Sequence, residues 1–226
     1  MKLKLSKLWS SSVVGLIAQL VFIASTLVAA SWQGTRYSPI KDSISDLYAV
    51  AAPHAVYIIV IFTLCGAATI LFALFALWPL LRPASRFAFI GPLALSLSIY
   101  GLGDLLTPFE RLGCSMAAAH CTATIQTANA GGQLDNNLST IGILLFIASL
   151  FFLAKSMSKI KGRHRDAQVM VIGAVYMIIC VIAIGAFHAS SFTGLIERLL
   201  AFGGAALIAA IAAFTMWHSM EDSAVS

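Results

Sequence analysis

Acidic and hydroxyl side chains stand out in this sequence, because only 10% of its 226 residues are charged. Their densest group lies in RYSPIKDSISDL, Arg36 to Leu47, between two long apolar runs. Asp104 lies inside another apolar run, where a carboxylate is costly unless it is paired or hydrated, and its expected partners are Arg111, Arg198 and the donors of RYSPIKDSISDL. We expect one polar cluster that binds a ligand or fastens loops to helices, formed by Tyr37, Ser45, Asp46, Asp104, Asp135, Glu197 and Arg198.

Histidines near the ends of apolar runs could serve a metal site. His54, His120 and His188, together with the carboxylates, supply the ligand types that zinc takes. The sequence lacks the H-x-x-x-H or H-E-x-x-H spacing that places two ligands on one helical face, so we predict no metal site. It also lacks intramembrane histidines at the depths that a haem would need, so no cofactor is predicted.

A serine hydrolase is the enzymatic alternative. It needs a nucleophile, a base and an orienting acid, which Ser45, Ser190 or Ser191 could form with His188 and Asp104. None of these serines lies in the glycine pattern of a nucleophile elbow. We therefore expect recognition or passage of a small molecule or lipid, with an intramembrane hydrolase of lipid-like substrates as the alternative.

The polar residues are set in a chain that is 60% hydrophobic, with a mean hydropathy of +0.93. This composition excludes an ordinary soluble protein and predicts an all-α, polytopic membrane bundle of about six transmembrane helices with structured loops. We predict a single integral membrane domain, residues 1–226, with spans at approximately 13–31, 54–81, 87–106, 138–155, 169–187 and 195–217. The first run exceeds the length of a signal-peptide core, which favours a retained helix over a cleaved leader.

The distribution of basic residues predicts the orientation. With six spans both termini lie on one side, and that side carries ten of the fourteen Lys and Arg residues. The positive-inside rule makes it cytoplasmic, so we predict a cytoplasmic-membrane protein with both termini in the cytoplasm and a polar cluster that faces outward. The basic excess is then a topology signal, which makes membrane lipids the expected partners and argues against nucleic acid. The sequence predicts no oligomeric state.

Two loops on the predicted outer side, Trp32 to Pro53 and Thr107 to Asn137, exceed the usual length of a simple link. Loops of this length tend to carry function or short structure of their own. In the first, Asp42 to Tyr48 is expected to form a short interfacial helix. Its apolar residues at helical spacing would lie against the bundle, namely Ile40, Ile44 and Leu47.

The four cysteines fall into two pairs by location. Cys114 and Cys121 occupy the second long loop, where an oxidising exterior permits disulfides, and we expect them to pair. Cys65 and Cys180 lie in apolar runs, where a thiol most often behaves as a small core residue.

Four short motifs carry a family resemblance: YSPIKDSISDL after the first span, GLGDLL near the end of the third, LDNNLSTIG after the cysteine loop, and TGLIERL at the start of the sixth. Together they resemble the bacterial and archaeal six-helix membrane family catalogued as domain of unknown function 998. The resemblance covers nearly the whole chain and implies a six-helix membrane fold, but the family name supplies no reaction. Members often carry a histidine where this sequence has Asp135 and Asn136, so no metal or acid-base role is carried over.

Overall fold

The chain folds into long helices joined by loops. The computed structural model describes residues 2–187 and 190–224, and no strand occurs among them. Five of the helices are long and apolar enough to cross a membrane, and another apolar helix is shorter. The predicted all-α, polytopic bundle is therefore confirmed, and the chain is an integral membrane protein. The helices are α1 (Lys2–Ser31), α2 (Ala55–Leu81), the shorter α3 (Ile90–Leu106), α4 (Ala123–Gln126), α5 (Ala130–Met157), α6 (His164–Phe187) and α7 (Thr193–Ala224).

Large apolar side chains cover the outer faces of the long helices. Val56 of α2 and Ile172 of α6 are 67% and 69% exposed, while Phe72 and Phe146 are fully buried in the interior. Such a surface is unusual for a protein in water, but it matches the hydrocarbon of a bilayer. The apolar faces are therefore suited to contact lipid.

The short helix α3 packs along α5. Near one end Gly91 lies against Leu153, and further along Ile99 lies against Gly142, so the two helices are antiparallel. A Cβ atom on Gly142 would come within 2.7 Å of the Ile99 nitrogen, which means that only glycine permits this approach.

A break interrupts α3 where the sequence predicted a continuous span over residues 87–106. The α-helix ends at Ser96, Ser98 is extended with φ −71° and ψ 176°, and the chain resumes as a π-helical turn over Ile99–Gly103. The Ser98 carbonyl accepts hydrogen bonds from the N–H groups of Gly101 and Gly103, at 3.1 and 3.2 Å. Irregular backbone at membrane depth is tolerated only when it is buried in protein or lines a cavity, and here it does both.

Helix α5 begins at Ala130, eight residues before the predicted span 138–155. The cause is a helix cap, because the Asn129 side chain accepts a hydrogen bond from the Gly132 N–H at 2.8 Å. The polar segment GGQLDNN therefore forms the first turns of the helix, and it carries Asp135 into the bundle.

The two long loops cover one end of the bundle, which we call the loop end. The first loop contains a 3₁₀ turn at Ser45–Tyr48 rather than a helix from Asp42. Ile44 and Leu47 are buried as predicted, but Ile40 is 49% exposed, because the shorter helix does not extend to it.

The second loop is closed by the predicted disulfide between Cys114 and Cys121. Between the two cysteines, the Met116 N–H donates to the Asp46 carboxylate of the first loop at 2.8 Å. The disulfide thus fixes a segment that holds the two loops together. Cys65 and Cys180 are buried free thiols.

We expect loss of the disulfide to lower stability by about 2 kcal/mol, the chain-entropy value for a short loop. Thermal unfolding of the detergent-solubilised protein with and without reductant measures this change. The Cys114→Ser, Cys121→Ser double variant is the control, because reductant should leave its melting temperature unchanged. A wild-type melting temperature that also ignores reductant would contradict the prediction.

Candidate functional site

A cavity of about 400 Å³ lies beneath the two long loops, enclosed by all the long helices. Volumes of this size are typical of small-molecule sites. Its lower wall is apolar and includes Phe22, Phe62, Tyr100, Ile143 and Leu200. Its upper wall is polar and carries hydroxyl, amide and carboxyl groups from Ser45, Tyr48, Asp104, Thr107, Glu110, Gln126, Asp135, Ser139 and Glu197.

Four of the lining residues are carboxylic acids, and each comes from a different element. Asp104 belongs to α3, Glu110 to the second loop, Asp135 to α5 and Glu197 to α7. Within the described part of the chain, no Lys, Arg or His lines the cavity. The cavity is therefore a strongly acidic environment with an apolar floor.

Asp104 faces the cavity just after the break in α3. Its side chain is only 9% exposed, and its carboxylate accepts no hydrogen bond from any residue that the structure describes. Helix α2 fixes its position, because a Cβ atom on Gly66 would come within 2.4 Å of the Leu105 nitrogen. The predicted partners Arg111 and Arg198 do not contact it, since both donate to other groups.

Glu110 is the acidic lining residue that sequence reasoning missed as a site residue. It is 4% exposed, and its Oε1 atom has no hydrogen-bond partner in residues 2–187 and 190–224. Burial, with further contributions from Asp135 and Asp104, raises the pKa of Glu110 to about 8. In the sequence Glu110 is an ordinary loop charge, and only the fold of that loop turns it inward.

The other two carboxylates are hydrogen-bonded to the first loop. Asp135 accepts from the hydroxyls of Ser45 and Tyr48 at 3.0 and 2.9 Å. Burial, and then the charge of Asp135, raises the pKa of Tyr48 well above its ordinary value, so this phenol remains a donor. Glu197 accepts from the Ile44 N–H at 3.0 Å. These bonds seat the loop on the rim of the cavity.

Arg198 forms a clasp between α7 and the first loop. Its guanidinium donates to the carbonyls of Pro39, Asp42 and Gly194 at 2.6, 2.7 and 3.0 Å, and to the Tyr37 hydroxyl. The N–H groups of Gly194 and Leu195 donate in return to carbonyls of the same loop. Arg198 therefore satisfies backbone acceptors and is turned away from the cavity.

Asp46 performs a similar structural role. Its carboxylate accepts from the N–H groups of Ser43 and Met116 and from the side-chain amide of Gln126, at 3.0, 2.8 and 2.9 Å. Burial raises the pKa of Asp46, and the two N–H donors oppose the rise. Arg111 adds bonds to the carbonyls of Tyr48 and Ala49. These contacts join the two loops.

The structure thus divides the seven predicted site residues into two groups. One group does not line the cavity: Arg198 and Tyr37 form the clasp, and Asp46 joins the two loops. The other group lies in the cavity wall and consists of Ser45, Asp104, Asp135 and Glu197. The sequence gives no reason to separate them, because both groups come from the same short motifs.

Aromatic rings form a connected row along the cavity. The ring centroids of Tyr48 and Phe62 are 5.9 Å apart, those of Phe62 and Phe22 are 4.8 Å apart, and those of Phe22 and Tyr100 are 6.2 Å apart. All four residues line the cavity. The aromatic rings and the four carboxyl groups therefore line the same cavity.

The histidines considered for metal or hydrolase chemistry lie elsewhere. His54 packs against the rings of Trp32 and Tyr57, and His120 is exposed in the disulfide loop. His188 lies outside the described residues. Among those described, no three His, Cys, Asp or Glu side chains are grouped so that they could hold a metal ion. Within the described residues, therefore, no contact favours the hydrolase alternative.

Comparison with known proteins gives one match. A family model described as "Protein of unknown function (DUF998)" matches residues 16–214, which include both long loops and all four acidic lining residues. No curated protein and no solved structure matches the chain.

Proposed function

Because the chain belongs to the family of unknown function DUF998, whose description names no activity, we propose a function from the cavity itself. The protein binds a small molecule or lipid there, and either recognises it or passes it across the membrane. The observation that carries this proposal is a cavity of about 400 Å³ whose wall contains the buried Asp104 and the buried Glu110, whose Oε1 atom has no hydrogen-bond partner among the described residues. Buried polar groups without partners are rare unless a ligand or water meets them.

The loops around the cavity support a binding role over a purely structural one. The clasp of Arg198 and Tyr37 already fastens the first loop to α7, and Asp46 joins the two loops. Asp104 and Glu110 are therefore not needed for fastening. Residues that are costly in a membrane and contribute no fold contact are functional candidates.

We also propose the orientation of the site. The end of the bundle opposite the loops carries the basic connections around Arg82 and Lys159, which supports a cytoplasmic placement of that end and of both termini. The cavity then opens outward from the cytoplasmic membrane, and membrane lipids contact the exposed apolar faces.

Ser139→Trp tests the proposed function. Ser139 lines the cavity, so an indole there should fill the cavity and remove most of the ligand that copurifies. Native mass spectrometry of the protein in nanodiscs measures this occupancy. The control is Leu144→Trp, which adds the same ring to the 58% exposed, lipid-facing side of α5 and should leave occupancy unchanged. Equal occupancy in the wild type and in Ser139→Trp would overturn the proposal.

A further inference from the structure

We propose that the ligand is an amphiphilic organic cation, with an ammonium group held between carboxylates and aromatic faces and an apolar part on the cavity floor. This inference rests on the proposed function and names the chemical class that the cavity takes.

The unpartnered acids are the first argument. Asp104 and Glu110 are each more than nine-tenths buried, both line the cavity, and the Oε1 atom of Glu110 has no hydrogen-bond partner in the described residues. A buried carboxylate in this state lacks the donors or opposite charge that would offset its desolvation. A bound ammonium group supplies the opposite charge there, and one that carries N–H groups supplies donors as well.

The absence of any basic lining residue in residues 2–187 and 190–224 is the second argument. Arg111 and Arg198, the basic residues nearest in the fold, donate to backbone carbonyls instead. An anionic ligand, or a phospholipid that brings a phosphate with its amine, would find no cationic partner in this wall. The cavity therefore selects ligands of net positive charge.

The aromatic row is the third and independent argument. Phe22, Phe62, Tyr48 and Tyr100 place four rings in the same cavity as the four acids. Ammonium groups bind at aromatic faces through the ring quadrupole, and alkylated ammonium groups also gain from apolar contact with the rings. A metal ion would not use these rings, and no group of three metal ligands occurs among the described residues.

The decisive measurement compares the affinities of three probes that share a hexyl chain and differ in the charge of the headgroup. Isothermal titration calorimetry of the full chain in nanodiscs is run with hexyltrimethylammonium, with its neutral analogue in which carbon replaces nitrogen, and with hexyl sulfate. Empty nanodiscs correct for partition into lipid. We expect the cation to bind at least about tenfold more tightly than the neutral analogue, and the sulfate not to bind.

Matched variants separate the role of charge from that of packing. At pH 9, where Glu110 is ionised, Asp104→Asn and Glu110→Gln should each weaken the cation by about tenfold and leave the neutral analogue unchanged. Asp42→Asn is the control, because Asp42 lies at the loop end but outside the cavity and accepts one bond from the Ser38 N–H, which an amide oxygen also accepts. Phe62→Leu should weaken the cation several-fold while retaining the neutral analogue.

The pH dependence gives an additional readout, since the quaternary probe itself does not titrate. Because the pKa of Glu110 is raised to about 8, its carboxyl group is mostly protonated below that pH and mostly ionised above it. Affinity for the cation should therefore rise between pH 6 and pH 9, and Glu110→Gln should flatten the rise. The titratable groups that share the cavity with Glu110 are Tyr48, Tyr100, Asp104, Asp135 and Glu197.

The outcomes distinguish this inference from the proposed function. Tighter binding of the neutral analogue or the sulfate, abolished by Ser139→Trp, would overturn the cation assignment and leave the ligand-binding function standing. No binding of any probe, together with no copurified ligand, would overturn both. Tight cation binding that is lost in Asp104→Asn but kept in Asp42→Asn supports both.

Discussion

Arg198→Ala should lower the free energy of unfolding by about 4 kcal/mol, the cost of leaving several buried acceptors without their donor. The substitution removes the bonds to the carbonyls of Pro39 and Asp42 and to the Tyr37 hydroxyl. Of these residues, Asp42 and Tyr37 are buried. Arg198→Lys keeps the charge, but it cannot reach the same acceptors with a single ammonium group, so we expect about half of the loss. Thermal or denaturant unfolding in detergent measures both variants.

Arg36→Ala is the matched control for this prediction. Arg36 lies in the same loop and is exposed, so its removal should change stability by less than about 0.5 kcal/mol. An Arg198→Ala protein as stable as the Arg36→Ala protein would mean that the clasp does not hold the loop end together.

Gly66→Ala should be strongly destabilising for a change of one methyl group, with a loss of about 3 kcal/mol or more. Its Cβ atom would lie 2.4 Å from the Leu105 nitrogen and 2.6 Å from the Gly101 carbonyl oxygen, and backbone atoms cannot rotate away. Helices α2 and α3 must therefore separate, and the separation moves Asp104. We expect both a lower unfolding temperature and weaker binding of the ammonium probe.

Gly185→Ala is the matched control, because no atom of the described residues lies within 4 Å of the added Cβ atom there. This helix-interior substitution should be neutral or slightly stabilising, since alanine favours helix by about 1 kcal/mol over glycine. If both substitutions had the same effect, the close approach of α2 to α3 would not be needed for the fold.

The sequence was sufficient for the features that depend on composition. An apolar content of 60% and regular apolar runs predict a membrane helix bundle, because a span needs only length and hydrophobicity. The disulfide was also predictable, since Cys114 and Cys121 share one short loop. Both features are set locally and are insensitive to how the helices pack.

The break in α3 was not predictable by the same means. A hydropathy profile depends only on side-chain types, and LSLSIYGLG lies within an apolar run whether its backbone is helical or broken. The break depends on the close approach of Gly142 from α5, a contact between residues more than forty positions apart. A cue was present in the two serines and two glycines of this stretch, because such residues tolerate irregular backbone.

The candidate site was predicted as a region but not as an arrangement. The motifs that place acids near the ends of spans single out Asp104, Asp135 and Glu197, which line the cavity, but they cannot show that Arg198 turns away from it. Orientation of a side chain depends on which acceptors the tertiary fold leaves free, and three backbone carbonyls decide it here. Glu110 was missed for the same reason.

The clasp has a consequence for biogenesis. Arg198 follows Asp42 in the chain by 156 residues, so the first loop is synthesised long before the residue that anchors it. At roughly 5–20 residues per second of synthesis, the loop waits on the order of ten seconds or more for the last helix to insert. The carbonyls of Pro39 and Asp42 therefore cannot meet their native donor until translation is almost complete, and the first loop can dock on α7 only after that point.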